Sequence, residues 1–521
     1  MAALALFATS CAAGAAQATP PGQGQSAAAS ATQAPMTKEQ SKELFRSVDE
    51  ILQFVSSDTR LPIQHPVKRT LISRDEVNRF LMKKFDEDES AKRLESSEIV
   101  LKKFGLLDRD FHLRPFLISL LTEQIAGFYD NKTKTVNLLN WIQPDEQKPV
   151  LAHELTHALQ DQKIGLTKWS EVSVKGTPHN VQEDNRHLQV DEAETARSAV
   201  AEGQAMAVFI DYTLRATGKT IAEAPDLAKR LKDTVADNSG SPVMARAPLL
   251  LQQSLLFPYS EGLGFEQAIL IKSGKDAAFA GVLANPPSSS FEIMHPEAYM
   301  AHTPVPVLHL PDIHPLLDAE YTPYDIGVMG ELDVRILTEL FGGREMAAAL
   351  APAWNGGVYY AAQRKSAVTP AEKESTASLG LLYYSNWKNA DSARSFLRIY
   401  AAQIPRKYSG VVRRTKDEAD ESEQVYTTNE GDVLLSNSGT RVFIGEGFSL
   451  PLARKLRDSI ASVQSNGPLQ LAQSPPHEPT LALSRLLSSF GIVKAASQQR
   501  YTSAGDLLNV QSGQRPTEGA K

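Results

Sequence analysis

The segment Val150-Leu-Ala-His153-Glu154-Leu-Thr-His157-Ala-Leu-Gln160 holds two histidines four residues apart, a spacing that makes chemical sense on a helix. There the two rings leave one face, one turn apart. The flanks agree. Pro149 suits a first helical turn, Leu151, Leu155, Ala158 and Leu159 form an apolar stripe, and Gly165 can end the run. Two imidazoles so placed can share one Zn2+, and Glu154, on the same arc, can take a proton from a water at the open metal position. The rival reading is a surface helix that carries the pattern by accident.

A third ligand can be argued from position. Val190 to Tyr212 reads as one long helix, and Glu202 lies three, four or seven residues from Ala199, Ala205, Met206 and Phe209. A lone carboxylate on that apolar face is costly unless it is paired or binds a metal. Gly203 beside it lets a neighbouring helix come close. Glu194 is the main rival, but Arg197 and Asp191 nearby suggest a wet face; His187, Asp191 and Glu192 are weaker ones. A structural ion pair is the plain alternative for Glu202.

Composition narrows the setting. The chain has 521 residues, 42% hydrophobic and 22% charged, with a net charge of −7. That suits two or three domains with a large core, and it gives no support for nucleic-acid binding. The single cysteine, Cys11, lies in the extreme N-terminus. A disulfide framework and a thiolate metal site are both excluded from the rest of the chain, so a metal there must be held by His and carboxylate. Met1 to Ala18 is uncharged and rich in Ala, Leu and Phe, and reads as a secretory signal with a cleavage site at Ala16-Gln17-Ala18. Ala8-Thr9-Ser10-Cys11 offers a second reading, lipidation and membrane attachment at Cys11, without the usual Leu three residues before it; an undirected tail is the third. The expected location is accordingly exported: periplasmic, secreted or lipid-anchored in a bacterial envelope.

The expected fold class is α+β: a mainly helical catalytic domain over 37–365 with a small sheet, after a leader over 1–36, then a small α+β module over 375–465 and a largely disordered tail over 466–521. The charged run from Lys83 to Lys103 reads as a solvated helix face. Gly127 to Leu139 reads as two strands about a polar turn, with 134–139 as an open edge along which a peptide could add as an extra strand; an ordinary core hairpin is the alternative. Thr167 to Arg186 reads as a lid or a long loop. Leu255 to Phe265 reads as a turn leading into a helix, Ser288–Ser290 as the cap of a short helix ending before Pro296, Trp354 to Tyr359 as a turn, and Lys365–Glu374 as a boundary. His295 and Tyr259 are candidates to steady a tetrahedral oxyanion.

With Glu202 on a later helix, His153-Glu154-Leu-Thr-His157 resembles the gluzincin branch of the zincin metallopeptidases. Gly127-Phe-Tyr-Asp130, His153 to Gln162, Ala201-Glu202-Gly203-Gln-Ala205 and Ser290 to Pro296 together resemble a group of exported bacterial proteins expected to be zinc peptidases. The likeness covers about residues 40 to 360, and it implies a zincin-like domain with His153, His157 and Glu202 as zinc ligands and Glu154 as general base. Two features depart from the pattern. The His157–Glu202 separation is longer than in the best-known gluzincins, and Met206 stands where an Asp often orients a ligand histidine, leaving Asp161 or Asp191 as candidates. No Gly-x-Met-x-Asn segment precedes the motif, which favours an endopeptidase.

The expected activity is zinc-dependent hydrolysis of a peptide or protein substrate. The alternatives are a zinc hydrolase for a non-peptide bond, and an exported binding or scaffold protein whose zinc site is structural or silent.

Overall fold

A computed structural model describes residues 35–87, 89–170, 177–225, 227–228 and 241–462. The signal and lipidation readings, Cys11 and the tail after 465 lie outside the described residues. Among the described residues, no helix is long and apolar enough to cross a membrane.

The first half is helical, with one small sheet. α1 (Lys38–Thr59) opens on a capping box at Thr37 and Gln40, in which two end groups of the helix satisfy each other. Strand β1 (Lys68–Ile72) follows, then α2 (Arg74–Glu87), α3 (Glu89–Phe104) and α4 (Leu113–Gln124). The expected hairpin is present as β2 (Phe128–Asp130) and β3 (Thr135–Leu139), paired antiparallel. β1 adds to the other side of β3 in parallel, giving the order β1-β3-β2. The expectation of an open edge at 134–139 is thereby corrected. β3 is the central strand, hydrogen-bonded on both sides, and the outer strand facing the site is β2.

α5 (Pro144–Ile164) carries the motif. It starts at Pro144 in the first turn, so Pro149 lies inside it rather than at its start; Gly165 ends it at φ 69°, a left-handed conformation that glycine adopts without a Cβ penalty. From Pro149 to Asp161 every residue is buried. The helix is buried on all sides although it carries polar side chains, which removes the surface-helix alternative. Gln147 fixes its entry, accepting from Leu139 N at 2.9 Å and donating to Leu139 O and Ile142 O at 2.8 and 2.7 Å.

The expected loop at 167–186 holds two helices, α6 (Leu166–Ser170) and α7 (Val181–Val190). α8 (Ala193–Leu214) starts after a break at Asp191 and Glu192, and α9 (Leu249–Asp276) runs unbroken through Leu255–Phe265, where a turn was expected. α8 and α9 cross at glycines. A Cβ on Gly203 would lie 2.2 Å from Gly262 O, and one on Gly262 would lie 2.1 Å from Ala199 O. Pro258, Gly262 and Gly264 break helices in isolation; here burial against α8 holds the helix through them, and the contact itself requires Gly262. Gly203→Ala should lower stability by about 3 kcal/mol, the upper end of overpacking costs. Denaturant unfolding checks this, and an unchanged midpoint would mean that the helices lie further apart.

The second half is organised by a seven-stranded sheet of β4 (Tyr321–Val328), β5 (Trp354–Arg364), β6 (Leu379–Trp387), β7 (Val412–Arg413), β8 (Glu423–Thr428), β9 (Gly431–Ser438) and β10 (Arg441–Glu446), in the order β4-β5-β6-β10-β9-β8-β7. Ahead of it stands α10 (Ser290–Met294), which ends before Pro296 as expected; α11 (Glu331–Gly342) lies between β4 and β5, and α12 (Ala390–Lys407) and α13 (Leu450–Ser462) cover the sheet. Side chains alternate between faces along β6: Leu381 and Tyr383 join Phe396 and Tyr400 of α12 in the core of the helical half, while Leu382 and Tyr384 join Leu456 and Ile460 of α13. Trp354 to Tyr359 is not a turn but the start of β5, with a register shift between Trp354 and Gly357. The polar stretch 365–374 connects β5 to β6 within one sheet, so the boundary expected there falls inside a continuous sheet and core.

The charged run also needs correction at its end. Lys103 is fully buried and donates to Glu430 Oε2 at 2.9 Å and to Thr376 O at 3.2 Å.

Candidate metal centre

α5 and α8 pack side by side in the core, and their facing polar side chains meet. His153 Nε2 lies 3.1 Å from His157 Nε2 and 3.1 Å from Glu202 Oε2, and the third side of the triangle, His157 Nε2 to Glu202 Oε2, is 3.4 Å. Among the described residues this is the one group of His, Cys, Asp or Glu that brings three ligand atoms within 4.8 Å. A tetrahedral cation with bonds of about 2.0–2.1 Å has donor-to-donor edges of about 3.3 Å. The donor set therefore fits a metal ion, and the residues expected as ligands are those the fold assembles.

Glu154 sits on the same helix. Its Oε2 accepts from Tyr129 N of β2 at 2.7 Å, while its buried Oε1 has no hydrogen-bond partner. Burial raises its pKa against the opposing pull of His153 and His157. Burial also works against the Glu202 carboxylate, yet the charge of His157 and contacts to both imidazoles hold it down at about 2. Burial opposes a charge on His157 too, and Glu202 outweighs it, lifting the ring to about 9. His153 and Glu154 are fully buried, and His157 is 8% exposed.

A chain of amides orients His157. Gln160 Oε1 accepts from His157 Nδ1 at 2.9 Å, which leaves Nε2 as the lone-pair donor of the ring. Gln160 Nε2 donates to Ala201 O at 3.1 Å and to Gln204 Oε1 at 2.9 Å, and Gln204 donates on to Ala278 O and Phe279 O. Sequence reasoning missed this partner, although Gln160 is three residues from His157 and thus on its helix face. The two acids considered for the task are committed elsewhere. Asp161 accepts from Tyr129 Oη at 2.8 Å and Lys134 Nζ at 2.5 Å, and Asp191 from Val328 N at 2.7 Å. Gln160→Ala should weaken metal affinity about 10–100-fold, as read by competition with a chelating dye; equal affinity would mean that Gln160 does not orient the ligand.

Of the two oxyanion candidates, Tyr259 reaches the site. Its ring lies parallel to that of His153, 20° between planes and 6.2 Å between centroids. His295 is tied instead to Glu331 Oε2 at 2.8 Å and lies against Phe291. Glu194, expected on a wet face, is buried with its charge acting on Arg197, and it does not belong to the three-ligand group.

Compared with protein-family models, with curated proteins and with solved structures, the chain matches none.

Proposed function

We propose that the chain is a zinc-dependent hydrolase that cleaves peptide bonds, with His153, His157 and Glu202 as metal ligands and Glu154 as general base. The observation that carries this reading is the convergence of the three donor atoms to 3.1–3.4 Å with Glu154 beside them. Three protein ligands leave one position of a tetrahedral site for water or substrate, whereas structural zinc sites fill all four. A zinc ion held there supplies Lewis acidity, making a water acidic and polarising a substrate carbonyl.

The rest is the work of the side chains. Glu154, held by the Tyr129 amide through one oxygen, uses the unbonded one to take a proton from the attacking water and hand it to the leaving nitrogen. Tyr259, above His153, is the proposed donor to the developing oxyanion. β2, as the outer strand, replaces β3 as the edge along which an extended peptide would pair.

One observation favours the alternative of a structural or silent site in a binding protein: the group is almost entirely buried. Incubating the zinc-loaded chain with peptide and ester panels, with products read by mass spectrometry, separates the readings. Cleavage of peptides supports the proposal, cleavage of esters alone points to a non-peptide hydrolase, and no cleavage at full zinc content supports the silent site.

A further inference from the structure

α8 and α9 run parallel, because Thr195 and Ser254 line one cavity and eight residues on in both helices Gly203 meets Gly262. That cavity, of about 170 Å³, lies between the helical body and the large sheet. Thr195 and Glu202 are seven residues apart on α8, so the cavity is roughly 10 Å along the helix from the metal centre.

Its walls combine apolar surface with acid. Phe104, Leu250 and Leu332 supply the first; Asp191, Glu192, Asp325 and Asp333 supply the second, and among the described residues no lysine or arginine lines it. Two of the acids are committed. Asp191 accepts from Val328 N and faces His187 at 3.4 Å, and Asp325 accepts from Tyr359 Oη and Ile326 N at 3.0 Å. The other two are not. Glu192 accepts from Ser290 through Oε1 only, and Asp333 from Gly330 N through Oδ2 only. The Ser254 hydroxyl, in a residue only 8% exposed, makes no hydrogen bond among the described residues.

Three polar side chains with unused acceptor oxygens thus line one small cavity with apolar sides. These acids do not form an ion cage, since none of them belongs to a group with three ligand atoms within 4.8 Å. We propose that the cavity binds an organic cation, an ammonium or guanidinium head on an apolar stem, with Glu192, Asp333 and Ser254 as acceptors. An ammonium carries three donors and a guanidinium five, with no acceptor to clash with the carboxylates. Burial, reinforced by neighbouring acids, pushes Glu192 up to about 8 and Asp333 up to about 7, so an incoming cation relieves a cost already present in the fold.

The test is calorimetric titration of the full-length protein with agmatine, acetyl-arginine amide and the neutral acetyl-norleucine amide. It needs no hydrolysis, so its failure leaves the metal-site reading untouched, and failure of that reading leaves this one standing. Both cations should bind. Glu192→Gln and Asp333→Asn, which keep the acceptors for Ser290 and Gly330, should each weaken binding at least about tenfold, as expected when one partner of a buried charge contact is removed. Tighter agmatine would mark a free amine as the ligand, and tighter acetyl-arginine amide a peptide side chain; either supports the site. Equal binding of acetyl-norleucine amide, or cation affinity unchanged in both variants, overturns it.

Discussion

Glu154→Gln protein should fold and hold zinc as the wild type does while hydrolysing peptides about 10²–10⁴-fold more slowly, the range removed with a general base. Glutamine matches the shape of the glutamate and can still accept from Tyr129 N, so the tie between α5 and β2 survives. What is lost is the basic oxygen. The metal ligands lie one residue before and three residues after this position, and neither is altered. Zinc content measured beside the rate separates the outcomes: full activity at full zinc would remove Glu154 from the chemistry, and lost zinc would make it a structural residue.

Glu446→Ala should destabilise the protein by about 3–5 kcal/mol, the cost of breaking a buried ion pair by removing one partner. Glu446 is fully buried at the end of β10. Its Oε1 accepts from Lys407 Nζ at 2.6 Å and from Tyr400 Oη, and its Oε2 from Tyr408 Oη. Truncation leaves Lys407 buried without its carboxylate, with the Tyr400 hydroxyl as its remaining hydrogen-bond partner among the described residues. The same network predicts a pH effect. Burial opposes the Glu446 charge, but Lys407 and Lys103 hold its pKa below the ordinary carboxylate value. A carboxyl whose folded pKa is depressed contributes stability that is present above its unfolded pKa and lost as pH falls through the folded one. The gap in melting temperature between wild type and Glu446→Ala should therefore be full at neutral pH and shrink in acid below the carboxylate range. A gap of constant size across that range would show that packing, not charge, sets the cost.

Much of the centre was legible because each of its residues obeys a local rule. The histidine spacing, the Gly165 stop and the apolar face around Glu202 need only helical periodicity, and Gly203 signals the close helix that Gly262 provides. What escaped depends on partners distant in sequence. β1 pairs with β3 across more than sixty residues, and its Lys-Arg-Thr-Leu-Ile sequence shows no alternation of its own, so β3 read as an edge. Pro258 and Gly262 read as a turn because their helix is held by packing on α8, not by propensity. Lys103 read as solvated because its counter-charge, Glu430, lies on the far side of the chain's second half. Tyr259 and His295 were equal candidates by residue type; only the fold, by stacking one on His153 and tying the other to Glu331, tells them apart.

Zinc content per chain, measured on wild type and on His157→Ala protein equilibrated at the same free zinc, tests most directly whether His153, His157 and Glu202 together grip a metal ion. One zinc ion per wild-type chain and little or none in the variant is the predicted result; equal zinc in both, or none in the wild type, would contradict it.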